Sequence, residues 1–190
     1  MNLGLETGTA APALIAALRP HLERARLWQP RRCPRGEVVF GPDADRGEVV
    51  LLLSGLVKLV YTTEDGAEWI KSFVLDQGVF AAADGDGAPY GAVCLEGCTL
   101  LRLPRAALDM AAATDAGVRE AALAFSAWLL RRKQAREAAL LSMTPEARYR
   151  ALLAHAPQAL ARLPQGDIAR FLGITPIAFS RIKRRMKDAP

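Results

Sequence analysis

Residues 165–187, with the sequence QGDIARFLGITPIAFSRIKRRMK, decide how the carboxyl-terminal part of this chain folds. Apolar residues recur at helical spacing on both sides of Gly173, which predicts two short helices that bury a common face. Glycine at the junction allows the positive φ of a tight turn, and Thr175 followed by Pro176 is a strong helix start. The stretch therefore predicts a helix-turn-helix. The expected inward positions are Ile168, Ala169, Leu172, Ile174, Phe179 and Ile182.

The outward positions of the second helix determine what this motif can bind. They are Pro176, Ile177, Ser180, Arg181, Arg184 and Lys187. An α-helix fits the major groove of DNA, where an arginine can make two hydrogen bonds to guanine. We therefore expect base contacts from Arg181, Ser180 and Ile177, and backbone contacts from Thr175, Arg184, Arg185 and Lys187. The alternative is a helical hairpin whose basic face is only solvated.

Charge is unevenly distributed along the chain. The net charge is +5, but residues 142–190 contain nine basic and three acidic side chains, which leaves +6 there and −1 in the first 141 residues. Such a division is expected when one module faces a polyanion and the other does not. A solvated basic face has the same composition, so charge alone does not decide between the two.

Helices are also predicted before this motif. Thr144 and Pro145 are a good N-cap and first helical residue, so a helix is expected over 147–156 and three helices over 144–190. Residues 115–141 form the longest helical pattern, about 40 Å at 1.5 Å per residue. This length exceeds what one small domain needs and favours a homodimer through residues 115–141. The alternative is two shorter helices packed on their own domain.

The middle of the chain has a β pattern. Between Cys33 and Leu103, short runs rich in branched apolar residues alternate with turn residues, as in a sandwich or barrel. Glu64-Asp65-Gly66 separates two runs and is typical of a hairpin turn. Residues 81–91 are small and glycine-rich, so a loop is expected there. Strands are predicted over 37–40, 49–53, 56–62, 68–74, 92–95 and 99–103, after one or two short helices over 13–28 that Pro20 interrupts.

Composition and motifs argue against several other classes of protein. The apolar runs are too short to span a bilayer, and no secretory signal is evident, so we expect a cytoplasmic protein with no membrane partner. Cys33, Cys94 and Cys98 are interpreted as buried reduced thiols, because structural zinc and iron–sulfur sites normally need four ligands. His21 and His155 have no catalytic partners nearby in sequence, and no P-loop or dinucleotide motif is present. We expect neither a metal nor an enzyme activity.

From about Pro34 to Lys187 the chain resembles the Crp/Fnr family of bacterial transcription regulators. The matching words are PRGEVVF at 34–40, LLSGLVKL at 52–59, EDG at 64–66, GVF at 78–80, DIA at 167–169, LGIT at 172–175 and SRI at 180–182. The resemblance implies an α+β chain with an antiparallel β-roll of the cyclic-nucleotide-binding type over 1–112. A long dimerisation helix over 113–142 and an all-α helix-turn-helix domain over 143–190 would follow. It also implies a symmetric dimer on a palindromic duplex, with RNA polymerase as a candidate further partner.

The chain departs from the family pattern at the ligand site. Relatives that bind a cyclic nucleotide have a Phe-Gly-Glu word and then an Arg-Ser or Arg-Thr pair, but here Phe80 precedes three alanines and Tyr90-Gly91 replaces the pair. Without that arginine the cyclic phosphate loses its main partner. We therefore expect no cofactor and no binding of cyclic AMP in the family manner. The loop over 81–91 could still admit an apolar or neutral effector, or nothing, and Tyr61, Trp69 and Tyr90 are candidates for lining such a pocket.

A second departure lies at the carboxyl terminus. The chain resembles short variants of the family that lack a β wing, and Pro176 and Ile177 replace a polar pair, so the operator sequence cannot be transferred from relatives. The sequence nevertheless predicts a homodimeric, sequence-specific regulator of transcription that binds double-stranded DNA. The alternative is a small-ligand sensor or interaction module whose DNA-binding segment is vestigial.

Overall fold

The computed structural model describes residues 5, 8–42, 47–82 and 89–188. Within these residues, helix α1 precedes eight strands, and six helices follow them. The strands are β1 Arg31–Cys33, β2 Val38–Phe40, β3 Glu48–Ser54, β4 Leu56–Thr62, β5 Glu68–Leu75, β6 Gly78–Ala81, β7 Gly91–Cys94 and β8 Cys98–Pro104. The helices are α1 Ala10–Arg24, α2 Arg105–Thr114, α3 Ala116–Ser142, α4 Pro145–His155, α5 Pro157–Ala161, α6 Gln165–Phe171 and α7 Pro176–Asp188. The fold class is α+β, as predicted.

The strands form two antiparallel sheets that face each other. One has the order β1-β8-β3-β6 and the other the order β2-β7-β4-β5. Neighbours in each sheet are mostly distant in sequence, which is the winding of a jelly roll. Large side chains of both sheets, including Phe40, Leu52, Val57 and Phe80, pack together between them. This arrangement confirms the antiparallel β-roll.

The structure confirms the predicted hairpin and corrects the predicted loop. Gly66 has a φ of +81°, and the Thr63 amide donates to the Ala67 carbonyl at 2.9 Å, so the turn that joins β4 to β5 is confirmed. The loop prediction over 81–91 is wrong at both ends, because Ala81 ends β6 and Gly91 begins β7. Residues 83–88 of that loop lie outside the described residues. The short strands β1 and β6 are not predicted because their pairing with β8 and β3 is non-local.

The helices follow the capping residues that the sequence contains. Asp115 accepts hydrogen bonds from the amides of Gly117 and Val118 at 2.7 and 3.2 Å and begins α3, while Thr144 accepts one from the Ala147 amide at 3.2 Å and begins α4. α1 is a single helix that continues past Pro20. The prediction of three helices over 144–190 is wrong, because Pro157 begins the additional short helix α5. Proline is well suited to a first helical position.

Helix α3 connects two further cores. Its first half packs with α1 and α2 on the outer face of β3 and β8, where Val118 is buried. Near its end, Ala139 is buried with α4, α6, α7 and the outer face of β5, and the Phe73 and Phe171 ring centroids are 5.3 Å apart. Neither this 27-residue helix nor any other helix in the described segments is apolar enough to cross a membrane.

The three cysteines belong to the core of the β-roll. Cys33, Cys94 and Cys98 are buried and form no disulfide. Burial raises the pKa of the Cys94 thiol to about 12, so this group stays protonated at neutral pH. These observations agree with their interpretation as buried thiols.

Candidate DNA-recognition surface and cavity

Helices α6 and α7 form the helix-turn-helix predicted over 165–187. Gly173, in the turn, has a φ of +74°. The Ile174 amide donates to the Ala169 carbonyl at 3.1 Å, and the rings of Tyr149 in α4 and Phe179 in α7 pack nearly perpendicular to each other with 4.8 Å between their centroids. All but one of the predicted inward residues are buried, and Ile174 is half-buried against the same core. The two helices therefore pack on a shared apolar face.

The opposite face of α7 is exposed and basic. Ile177 has 69% of its surface exposed, and the candidate contacts Ser180, Arg181, Arg184, Arg185 and Lys187 are exposed as well. The Thr175 hydroxyl oxygen accepts the Ala178 amide at 3.2 Å and so begins the helix. The Ser180 hydroxyl donates to the Pro176 carbonyl at 3.0 Å, which leaves its oxygen free to accept a hydrogen bond.

No described carboxylate neutralises the basic side chains at the centre of this face. Among the side chains that the structure describes, none forms an ion pair with Arg181 or Arg184. Arg185 lies 3.5 Å from Glu146, but this pair is exposed and such pairs are weak, so a phosphate can replace the carboxylate. Asp167 is buried and paired with Arg170 at 3.3 Å, away from the exposed face. Arg181 is therefore available to an external acceptor.

The β-roll binds the helix-turn-helix through other surfaces. Arg162 forms ion pairs of 2.5 Å with both Asp76 and Glu96, whose hydrogen bonds raise the pKa of its guanidinium. Lys58 of β4 lies 3.7 Å from the carboxylate of Asp167. These contacts involve α6 and the segment before it, and they leave the exposed face of α7 uncovered.

Arg148 is a structural residue that sequence reasoning counted only as part of the basic charge. Its Nη1 atom donates to the carbonyls of Ala139, Leu140 and Met143 at 3.3, 3.2 and 2.8 Å, and its Nη2 atom donates to Leu172 at 2.7 Å. One buried cation thus binds carbonyls at the ends of both α3 and α6. The available signal is its position four residues before Leu152, on the inward face of α4.

A cavity of about 1070 Å³ lies between β5, β6 and the helices α3 and α6. All three residues proposed for an effector pocket, Tyr61, Trp69 and Tyr90, line it. Tyr90 is buried, its hydroxyl donates to the Ala81 carbonyl, and its ring packs against Tyr61 with 6.1 Å between centroids. Tyr90 therefore also serves as a packing residue of the wall.

The cavity wall is more basic than the expected neutral pocket. The Lys71 ammonium lies 3.8 Å from the centroid of Tyr90, and Arg132 and Arg136 also line the cavity. Burial, followed by the nearby charges of Lys133, Arg132 and Arg136, lowers the pKa of Lys71 to about 8. Burial also lowers the pKa of each of the two arginines to about 10.

Sequence reasoning missed these basic residues because it treated those of α3 as the middle of a dimer helix. The four-residue spacing of Trp128, Arg132 and Arg136 was an available signal, because it places them on one face of the helix.

The apolar stripe expected on α3 is divided between two faces. Val118 is buried and Phe125 is half-buried within the same chain. Leu123, Leu130 and Leu141 are 65%, 56% and 81% exposed. Their spacings of seven and eleven residues place them near one line along the helix. An apolar face thus remains uncovered on α3.

Three comparisons identify proteins similar to this chain. Residues 30–115 match the family described as Cyclic nucleotide-binding domain. The Nitrogen fixation regulation protein FixK of Azorhizobium caulinodans is 27% identical over 175 residues, which cover 86% of this chain and 71% of FixK. The structure of FixK2 from Bradyrhizobium japonicum superimposes with a TM-score of 0.74 at 23% identity, over 84% of each chain. A mutant of CooA from Carboxydothermus hydrogenoformans gives a TM-score of 0.72 at 16% identity, over 87% of this chain and 79% of CooA.

Proposed function

Because this chain fits the Crp/Fnr family of transcription regulators, we propose that it is a homodimer that binds double-stranded DNA through α7. The single observation that carries the proposal is the exposed face of α7, where Arg181 and Arg184 have no described carboxylate partner. Arg181 would bind guanine through two hydrogen bonds, with Ser180 and Ile177 at neighbouring base edges. Thr175, Arg184, Arg185 and Lys187 would bind phosphates, which add affinity but little specificity.

The exposed leucines of α3 support the homodimer. Leu123, Leu130 and Leu141 would pack against the same residues of a second copy, because a two-fold interface brings equivalent surfaces together. The two copies of α7 would then lie about 34 Å apart and bind half-sites separated by one turn of the duplex. The proposed protein is cytoplasmic and has no catalytic role.

We also infer that cyclic AMP is not bound in the manner of the family. Tyr90 stands where the resemblance places the arginine-containing pair, and its hydroxyl already donates to the Ala81 carbonyl. The side chain therefore provides no cation for a cyclic phosphate. Equilibrium dialysis with labelled cyclic AMP checks this. Saturable binding of cyclic AMP would contradict this inference if it persisted in a Lys71→Met variant, because such binding would not depend on the Lys71 cation.

Selection of binding sites from random duplexes, at a fixed salt concentration, tests the DNA proposal. The selected site should then be bound by the native chain, by Arg181→Ala and by Arg24→Ala. Arg24 is an exposed arginine at the end of α1, so its variant controls for the loss of one positive charge.

We expect Arg181→Ala to lose about 1–3 kcal/mol on the selected site and much less on random DNA. The control should bind both like the native chain. Equal losses on the two duplexes would show that Arg181 binds only the backbone. Failure to select any site would favour the alternative of a ligand sensor with a vestigial DNA-binding segment.

A further inference from the structure

The cavity beside β5 contains a positive charge that the described side chains do not neutralise. Lys71 forms no hydrogen bond or ion pair with any residue that the structure describes, and its ammonium group faces the ring of Tyr90. Arg132 and Arg136 line the same cavity from α3. A half-buried ammonium next to further cations is unfavourable unless an anion compensates it.

Aromatic side chains form part of the remaining wall, which also includes the carboxylates of Asp76 and Glu137. Tyr61, Trp69 and Tyr90 line it on the β-roll side, and Trp128 and Phe171 line it on the helical side. Ligand sites commonly combine a large apolar surface with a few polar groups that fix the orientation of the ligand. The cavity of about 1070 Å³ is large enough for a small aromatic molecule.

We propose that this cavity binds an organic anion with an aromatic ring, whose carboxylate or sulfonate pairs with Lys71 while its ring packs among Tyr61, Trp69 and Tyr90. The anion would pair with Lys71 of β5 and not with the arginine that relatives use for a cyclic phosphate. Only its regulatory consequence rests on the proposed DNA-binding function. The anion site itself can be tested without DNA.

Arg136 connects this cavity to the helix-turn-helix. Its guanidinium donates to the Ile70 carbonyl of β5 at 2.8 Å and to the Phe171 carbonyl of α6 at 3.0 Å. Phe171 ends α6, two residues before the turn at Gly173. A hydrogen bond between two ionised groups is stronger than one from a guanidinium to a neutral carbonyl, so a bound anion would draw Arg136 away from Phe171. Ligand binding would thus change the position of α6 and the affinity for DNA.

Two fluorescent probes with the same rings test the site in the full-length protein. 8-Anilinonaphthalene-1-sulfonate is an aromatic anion, and N-phenyl-1-naphthylamine lacks its charge. Lys71→Met should weaken binding of the sulfonate about 10- to 100-fold, as expected for a charge-assisted hydrogen bond, and change binding of the neutral amine little. Lys71→Arg keeps the charge and should restore the sulfonate affinity. Near-ultraviolet circular dichroism verifies that each variant is folded.

Unchanged sulfonate affinity in Lys71→Met, or equal losses for both probes, would overturn the proposal. A further variant distinguishes an external ligand from the chain itself, because Asp84 and Asp86 lie in the segment between Ala82 and Pro89. The proposal expects Lys71-dependent sulfonate binding in the native chain and also in the Asp84→Asn, Asp86→Asn double variant. Binding seen only in the double variant would show that the chain's own aspartates neutralise Lys71, which contradicts the proposal.

DNA binding measured in parallel separates the two proposals. If both are correct, the sulfonate changes the DNA affinity of the native chain severalfold and leaves that of Lys71→Met unchanged. Lys71-dependent sulfonate binding without any DNA binding would support the cavity site and overturn the proposed function. DNA binding without Lys71-dependent sulfonate binding would support the proposed function and overturn the cavity site.

Discussion

Replacement of Gly173 by alanine tests the turn between α6 and α7. A φ of +74° costs a residue with a Cβ atom about 1–2 kcal/mol. Loss of flexibility in the unfolded chain offsets about 0.4–1 kcal/mol of this cost. The added Cβ would lie 3.5 Å from Leu140 Cδ2 and 4.0 Å from Arg148 Nη2, which are ordinary contacts. We therefore expect Gly173→Ala to lower the free energy of unfolding by about 1 kcal/mol, through the backbone alone.

A series of variants shows whether this backbone argument is correct. Gly173→Asn should cost less than Gly173→Ala, and Gly173→Val should cost more, because asparagine tolerates positive φ and β-branched residues do not. Gly66→Ala is a matched control, because Gly66 has a φ of +81° and its added Cβ meets nothing within 4 Å. Both alanine variants should be similarly destabilised in urea unfolding. Only Gly173→Ala should also weaken DNA binding, by about fivefold if 1 kcal/mol of strain is relieved when α7 moves.

Two outcomes would refute this reasoning. Equal stability of Gly173→Asn, Gly173→Ala and Gly173→Val would show that the turn does not require a left-handed backbone. A similar loss of DNA affinity in Gly66→Ala would show that general destabilisation, and not the angle between α6 and α7, weakens binding.

Three more predictions concern α3, the cavity and α4. Leu130→Glu should shift the chain from dimer to monomer in sedimentation velocity, because it places a charge in the exposed apolar face; an unchanged dimer would exclude that face. Between pH 8 and 10.5 Lys71 binds more protons in the unfolded state than in the folded state. As the pH rises through this range, the contribution of Lys71 to the free energy of unfolding therefore increases, by at most about 3 kcal/mol. Lys71→Met should thus be more stable than the native chain at pH 7, and this difference in the free energy of unfolding should narrow by pH 10. A difference that stays constant with pH would show that the pKa of Lys71 is not lowered. Arg148→Met should lower the urea midpoint, because it removes the guanidinium that binds carbonyls of both α3 and α6, including the buried carbonyl of Leu172; a change below about 1 kcal/mol would show that water replaces the guanidinium.

The elements that the sequence predicts well are those specified by neighbouring residues. The turn at Gly173, the cap at Thr175 and the hairpin at Gly66 each depend on a few consecutive residues, and all three are present. The inward positions of α6 and α7 follow from helical spacing in the same way. Local chemistry therefore suffices for the helix-turn-helix and for most strands.

The missed features depend on residues that are distant in sequence. Strand β6 is stabilised by pairing with β3, where Phe80 lies opposite Val50, and its own pattern is too short to indicate a strand. The basic cavity requires Lys71 of β5 to lie near Arg136 of α3, which is 65 residues later in the chain. Helical spacing places the arginines on one face of α3 but does not show what that face contacts. The contact follows from the packing of α3 on β5, which brings together residues distant in sequence.

Methylation interference at guanine N7 tests most directly whether α7 enters the major groove. N7 lies in that groove, so a methyl group there blocks a hydrogen bond from Arg181. We predict that the native chain is excluded by methylation at one guanine in each half-site, about 34 Å apart, and that Arg181→Ala is insensitive to the same modification. Identical interference patterns for the two proteins, or none in either half-site, would contradict the proposal that Arg181 reads DNA.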